Sequence, residues 1–334
     1  MALPQQIRDK GNPRLTLAVV SDVHFAGDAE KARRGHEGRA IPGWFLRHLT
    51  SAYRHYIWLR DPFAHNHLLD RFIVAAKDAD WVVANGDYSC DTAFVGACDE
   101  PAFISASECL GRLRDAFAGR FAATIGDHEL GKLSLFGGKG GLRLASWERT
   151  LHGLALEPFW RRDFGRCTLL GVTSTLVALP LFEPEALPEE VAAWRRLREE
   201  HVERLRDVFR HLEPDRRVLL FCHDPSALPF LWREGVIRSR LDQVALTVIG
   251  HLHTGLVYRV GRLLAGMPRI TFLGNSVRRM SEALHQARCW RDFRVRLCPS
   301  LSGSELLKDG GHATITLDPA TGGFGRFTLH RMPR

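Results

Sequence analysis

Leu17-Ala18-Val19-Val20-Ser21-Asp22-Val23-His24 holds the pattern that decides the fold. An apolar, strand-sized run ends in a polar turn that presents a carboxylate and an imidazole two residues apart. The pattern returns downstream. Trp81-Val82-Val83-Ala84 runs into Gly86-Asp87, and Ala122-Ala123-Thr124-Ile125 into Gly126-Asp127-His128-Glu129. Leu219-Leu220-Phe221-Cys222 ends at His223, and Leu246-Thr247-Val248-Ile249 at Gly250-His251-Leu252-His253. Strand ends of an open α/β sheet converge on one crevice, so loops more than two hundred residues apart can meet there.

Between these runs the sequence reads as alternating strands and helices. Strands are expected over 15–21, 81–84, 121–125, 169–172, 218–222 and 245–249, and helices over 101–117 and 189–212. In the second helix Val191, Trp194, Leu197, Val202, Leu205 and Phe209 recur at helical spacing, Pro188 precedes it and Pro214 follows it. Beyond Ile249 the pattern turns to strands over 256–260, 270–273, 293–297, 312–317 and 324–330. The last two flank Asp318-Pro319-Ala320-Thr321-Gly322-Gly323, a hairpin turn. No repeat, low-complexity tract or linker divides the chain, which is expected to form a single domain over 1–334, with 28–80 as an enlarged helical insertion.

Composition narrows the function classes. Apolar residues make up 45% and charged residues 25%, which excludes a disordered or fibrous chain. The longest nearly apolar stretch, 169–182, contains Thr173, Ser174, Thr175 and Pro180, so no membrane-spanning helix is expected. The opening residues are polar and the first apolar run is strand-sized, so no secretory signal is expected. Seven cysteines without a CxxC spacing argue against a disulfide framework and suit a cytoplasmic chain. The net charge of +8 favours anionic partners, and basic residues cluster over 31–60 and again at Arg278, Arg279, Arg288, Arg291, Arg294 and Arg296.

Carboxylates and imidazoles are the ligands of zinc, manganese and iron, and a carboxylate can bridge two ions where an imidazole cannot. In Asp22-x-His24 and His251-x-His253 both side chains share a face if the segment is extended, and diverge if the loop turns. The order DxH, GD, GDHE, H, GHxH over Asp22 to His253 resembles the calcineurin-like metallophosphoesterases. The resemblance implies a four-layered αββα sandwich with a dinuclear centre of two divalent or transition-metal ions (Mn, Fe or Zn). It implies that Asp22, His24, Asp87 and His253 hold the first ion. Asp87 would bridge to a second, completed by Asp127, His223 and His251. His128 takes the place of the family's catalytic histidine, and Glu129 that of the acid orienting it. The chain departs from the pattern at Asp127, where the family usually has asparagine. The implied mechanism is in-line attack on phosphorus by a water bridging ions roughly 3.5–4 Å apart.

The expected activity is therefore metal-dependent phosphoester hydrolysis, on a lipid-linked or nucleotide-linked phosphoester by analogy with the family's lipid A-pathway pyrophosphatases. A nuclease and a non-catalytic protein-interaction scaffold are the alternatives. No dedicated nucleic-acid module is seen, and every ligand position holds a competent side chain. Gly137-Gly138-Lys139-Gly140-Gly141 lacks the Ser/Thr and the preceding strand of a phosphate-binding loop and reads as a loop beside the site. Cys90 and Cys222 read as packing residues, and Tyr88 as a cleft residue. Within the insertion, Trp44, Phe45, Tyr53, Tyr56 and Trp58 accompany Arg47, Arg54 and Arg60. This segment reads either as a core helix with outward arginines or as a cap touching substrate or an anionic membrane at the inner face.

Overall fold

Alternate residues of the short apolar runs face two different apolar environments, which is what strands buried on both sides require. The computed structural model describes residues 14–35, 41, 43–90, 94–132, 140–272 and 275–334. In chain order its strands are β1 (Leu15–Val20), β2 (Trp81–Asn85), β3 (Phe121–Thr124), β4 (Phe159–Phe164), β5 (Cys167–Val172), β6 (Arg217–Cys222), β7 (Val244–Ile249), β8 (Val295–Leu297), β9 (Gly311–Asp318) and β10 (Gly323–Arg331). They form two sheets ordered β10-β9-β1-β2-β3 and β4-β5-β6-β7-β8. β1, β2 and β3 are mutually parallel, as are β5 through β8, while β9, β10 and β4 join antiparallel at the edges.

The longer helices are α1 (Trp44–Tyr56), α2 (His67–Ala75), α3 (Glu100–Ala116), α4 (Val191–Arg210), α5 (Gly255–Leu263) and α6 (Asn275–Gln286). Leu17 and Val19 of β1 pack into a cluster with Leu169, Leu219, Phe221 and Val248 of the other sheet. Their neighbours Ala18 and Val20 join the cluster that holds Leu68 and Phe72 of α2 and Leu110 and Leu113 of α3. Trp194, Leu205 and Phe209 of α4 are buried in that same cluster with Leu170 and Leu220. The result is the expected helix–sheet–sheet–helix sandwich. Burying a leucine or valine side chain fully contributes about 1.5–3 kcal/mol, so this double layer outweighs any polar contact at the rim.

The chain-end strands pair through the expected turn. Gly322 N–H donates to Asp318 O at 2.9 Å, and the Asp318 carboxylate accepts from Ala320 N–H at 3.1 Å. Two expectations fail. Residues 256–260 lie in helix α5, not in a strand. The Thr254 hydroxyl accepts from Val257 N–H at 3.2 Å and caps the first turn. β7 already has β6 and β8 on its two sides, leaving no open edge for a further strand there. Residues 270–272 are likewise unpaired with any strand, because Ile270 N–H donates to Ser281 Oγ of α6 at 2.9 Å; residue 273 lies outside the described residues. β4 and helix α6 were not anticipated.

The insertion divides in two. α2 buries Leu68, Leu69 and Phe72. α1 instead leaves Trp44 73% and Tyr56 69% exposed, so the core-helix reading of this segment does not hold. No helix among the described residues is long and apolar enough to cross a membrane. All seven cysteines are free thiols.

Candidate metal centre

The candidate ligands sit where β1, β2, β3, β6 and β7 end and the chain turns. φ is +50° at Asp22, +49° at His24, +59° at Asp87 and +57° at both His251 and His253. A side chain held in left-handed backbone costs roughly 1–2 kcal/mol per residue. Such strain persists only where surrounding structure over-determines it, and it clusters at functional sites. Here the loops are zipped together beyond the strands. Asp22 N–H donates to Gly86 O at 3.1 Å, His24 N–H to Asp87 O at 3.1 Å and Phe25 N–H to Tyr88 O at 2.9 Å. His251 N–H donates to Asp22 Oδ1 at 3.0 Å, tying the two sheets together.

Two sets of ligand atoms result. Asp22, His24, Asp87 and His253 form one, and Asp87, Asp127, His223 and His251 the other, with the atoms of each set within 4.8 Å of one another. Asp87 belongs to both. The Asp22–His24 pair stays in a single set, whereas the turn at Leu252 sends His251 and His253 to different sets. In the first, His253 Nε2 lies 3.2 Å from Asp22 Oδ1. In the second, His223 Nε2 lies 3.1 Å from Asp87 Oδ2 and 3.2 Å from Asp127 Oδ1, and His251 Nδ1 lies 3.1 Å from Asp127 Oδ1.

Metal-binding imidazoles usually present one nitrogen to the ion and donate the other N–H to a fixed acceptor. His223 Nδ1–H donates to Asn85 O at 2.5 Å, and His24 Nδ1–H to Ser89 O at 3.3 Å, leaving both Nε2 atoms turned inward. Buried polar atoms are normally satisfied. Yet His24 Nε2 and Asp127 Oδ2 are buried with no hydrogen-bond partner, and His223 Nε2 and Asp87 Oδ2 meet only ion-pair partners. The donor types and these inward-facing orphans fit transition-metal ions.

The charges without ions are strongly unequal. Burial, with the Asp87 charge, outweighs His223 and His24 and raises the Asp22 carboxyl above its usual range. Burial and Asp127 push Asp87 up as well, but the His128 and His223 imidazoles prevail and hold it far below. Asp127 is held well below the usual range by His251 and His223 against its own burial. Burial would lower His251, but Asp224 and Asp127 lift it to about 9. His253 falls well below the ordinary value through burial and the neighbouring His24. Three buried carboxylates within reach of one another are a standing demand for positive charge.

His128 faces this centre. Its backbone N–H donates to Asp87 Oδ1 at 3.1 Å, its Nε2 is 3.6 Å from Asp87 Oδ2, and its ring centre is 4.8 Å from that of His24. The Glu129 carboxylate accepts from the backbone N–H groups of Gly126 at 2.8 Å, Asp87 at 3.1 Å and Tyr88 at 2.9 Å. It therefore splices the loop carrying His128 to the loop carrying Asp87. Burial and the Asp87 charge push its carboxyl up to about 8 despite those donors.

Two placements, those of Lys132 and Asp224, were not read from the sequence. Lys132 reaches back so that its ammonium contacts His128 Nε2. Its charge acts on both Asp127 and His253, which puts a side-chain cation beside the ligand sets. No motif marks it; the chain simply turns at Gly131, where φ is +99°. Asp224 follows His223 directly and its carboxylate lies 3.9 Å from His251 Nε2. Trp58 lays its ring 4.7 Å from that of His253, and Tyr53 stacks on Trp58. Tyr88 does not line the cleft. It is fully buried and donates its hydroxyl to Thr124 O at 2.7 Å. Cys222 is packed under the site, as expected, and the glycines at 137 and 138 and Lys139 lie outside the described residues.

An αββα sandwich with paired acid–imidazole sets at its strand ends is the architecture of a metal-dependent hydrolase. The chain belongs to the calcineurin-like phosphoesterase family, whose family model matches residues 15–255. It is thus a metal-dependent phosphoesterase, a hydrolase of ester bonds. No curated protein sequence matches it. Among solved structures, phosphopantetheinyl hydrolase from Mycobacterium tuberculosis is similar at 14% identity and a TM-score of 0.34, over 78% of this chain and 86% of that one. A predicted phosphoesterase from Streptococcus pneumoniae TIGR4 is similar at 10% identity and a TM-score of 0.26, over 95% of this chain and 98% of the other.

Proposed function

We propose that the protein holds two divalent or transition-metal ions, one by Asp22, His24, Asp87 and His253 and one by Asp87, Asp127, His223 and His251, and hydrolyses a phosphoester between them and His128. The observation that carries this reading is the pair of ligand sets sharing Asp87, with His24 Nε2 and Asp127 Oδ2 buried in them and lacking a hydrogen-bond partner. When bound, such ions supply Lewis-acid charge to phosphoryl oxygens and lower the pKa of a water. The chain's own contribution is positioning. Glu129 and the left-handed ligand loops fix where His128 stands relative to Asp87, and the zipped backbone holds it there. His128 Nε2, in contact with the Lys132 ammonium, would meet an oxygen of the phosphoester or hand a proton to the leaving group.

The wall formed by Trp58 and Tyr53 beside His253 suits a phosphoester with a bulky apolar or stacking group, lipid-linked or nucleotide-linked. Seven free thiols suit work in the cytoplasm. Elemental analysis of the purified protein, with turnover on a monoester, a diester and a pyrophosphate in the presence of manganese, iron or zinc, tests the reading. Two equivalents of metal and metal-dependent turnover are expected. One equivalent or none after reconstitution would overturn the dinuclear assignment.

A further inference from the structure

Large apolar side chains left in solvent are concentrated on two elements beside the metal centre. α1 exposes Trp44, Phe45, Leu49, Tyr53 and Tyr56, which recur at helical spacing. α5 and the residue after it expose Leu256, Val257, Val260, Leu263 and Leu264, again at helical spacing, with Leu263 83% exposed. Phe272, 81% exposed, and Met280 of α6 extend the second surface. Both elements reach the site. α5 begins two residues after His253, and the Tyr53–Trp58 stack connects α1 to the His253 ring. A monomeric soluble protein rarely exposes so much contiguous apolar helix surface without a partner.

The charges name the partner. Segments 41–60 and 254–280 contain eight arginines (47, 54, 60, 259, 262, 269, 278 and 279) and no aspartate or glutamate. Arg269 and Arg279 are paired to Glu282 and Glu185, outside those segments. Helices with aromatic and aliphatic residues on one face, arginines beside them and no acid are built for the headgroup layer of an anionic membrane. A second copy of the chain fits poorly, since a two-fold contact would set arginine-bearing faces against each other without a carboxylate between them.

We propose that α1 and α5 dock this protein on the surface of an anionic lipid bilayer, placing the mouth of the metal centre at headgroup level. Docking rests on the phosphoesterase reading only in giving the surface its use; lipid binding itself needs no catalysis. Each arginine near an anionic surface is worth about a fivefold gain in partitioning, and the apolar stripe adds a component that salt does not remove.

The test is flotation of the intact, metal-loaded protein with vesicles of phosphatidylcholine alone and of 7:3 phosphatidylcholine to phosphatidylglycerol. Wild type is expected to float with the anionic vesicles and at least tenfold less with the neutral ones. Phe45→Glu combined with Leu263→Glu, both at exposed positions, should lower anionic-vesicle binding at least tenfold. Metal content and turnover of a small water-soluble phosphoester should stay at wild-type values. If wild type stays with neither vesicle, or the double variant floats as wild type does, the proposal is wrong. It is equally wrong if wild type ignores vesicles but is a dimer that the two substitutions dissociate. Flotation and metal content are read separately, so lipid docking and the dinuclear reading fail independently.

Discussion

Replacing Gly250 by alanine adds one methyl group at the tightest point of the ligand loops. Its Cβ would stand 2.0 Å from Ser21 Oγ, 2.5 Å from Asp22 Oδ2 and 3.0 Å from His223 Nδ1. Relaxed heavy-atom contacts lie near 3.5 Å, so the Ser21 hydroxyl must yield by about 1.5 Å and the Asp22 carboxylate by about 1 Å. Ser21 Oγ–H donates to Asp22 Oδ2 at 2.5 Å, and that bond cannot survive such a displacement. Overpacking costs about 1–3 kcal/mol and the lost charge-assisted hydrogen bond about 1.5–3 more. The sum, about 2.5–6 kcal/mol, lies within what a fold of about 5–15 kcal/mol can lose, so the variant folds, with a Tm lowered by roughly 4–9 °C for a chain of 334 residues. Asp22 and His223 belong to different ligand sets, so affinity for both ions should fall at least 10–100-fold. Gly235→Ala is the control, because a Cβ there meets nothing within 4 Å. Thermal unfolding with and without chelator, together with metal content after dialysis, measures both effects. A Gly250→Ala protein with wild-type Tm and full metal content would refute the close-packed geometry on which the site rests.

His128→Ala should lower kcat by about 10²–10³-fold with metal content unchanged, and Lys132→Met should impair esters with poor leaving groups more than those with good ones, both read in steady-state kinetics over a series of aryl phosphates. Asp127→Asn removes one negative charge from the set shared with His223 and His251, so that variant should surrender metal to a chelator sooner, as followed by colorimetric release. His201, buried on α4, has its pKa pushed down from 6.5 to about 3 by burial and Arg204. The unfolded chain therefore takes up a proton that the folded one refuses. The neutral ring's contribution is complete above pH 6.5 and is lost as pH falls toward 3, at up to about 1.4 kcal/mol per pH unit. His201→Leu should flatten the acid limb of a urea-denaturation series by that slope; an unchanged limb would place the loss elsewhere.

The centre was legible in the sequence because each candidate ligand follows a strand within a few residues, and strand ends converge by geometry alone. That Asp22 and His24 share a set while His251 and His253 part was not legible. It depends on left-handed backbone at non-glycine positions, which a residue string does not announce. α5 was misread because Leu-Val-Tyr-Arg-Val favours strands locally. The deciding signals were the Thr254 cap and the recurrence of apolar residues through Leu263 and Leu264. Lys132 escaped because its contact with His128 depends on how the chain turns at Gly131, and no spacing encodes that direction.

The ligands are partitioned between the sheets. Asp22, His24, Asp87 and Asp127 extend from the β1, β2 and β3 ends, whereas His223, His251 and His253 extend from β6 and β7. Between the rims the two sheets meet through apolar side chains, which resist separation but have little preference for one sliding position over another, and at the opposite strand ends a backbone bond, Arg166 N–H to Pro319 O at 2.8 Å, joins them. Ions bound across this seam would act as rivets at one rim of a greased joint, setting the register of one sheet against the other. Binding free energy then becomes folding free energy, growing with the logarithm of ion concentration above the dissociation constant. Amide hydrogen exchange near this rim would slow far more on metal loading than exchange at the opposite strand ends, and the sandwich would open, when it opens, from the end away from the metals.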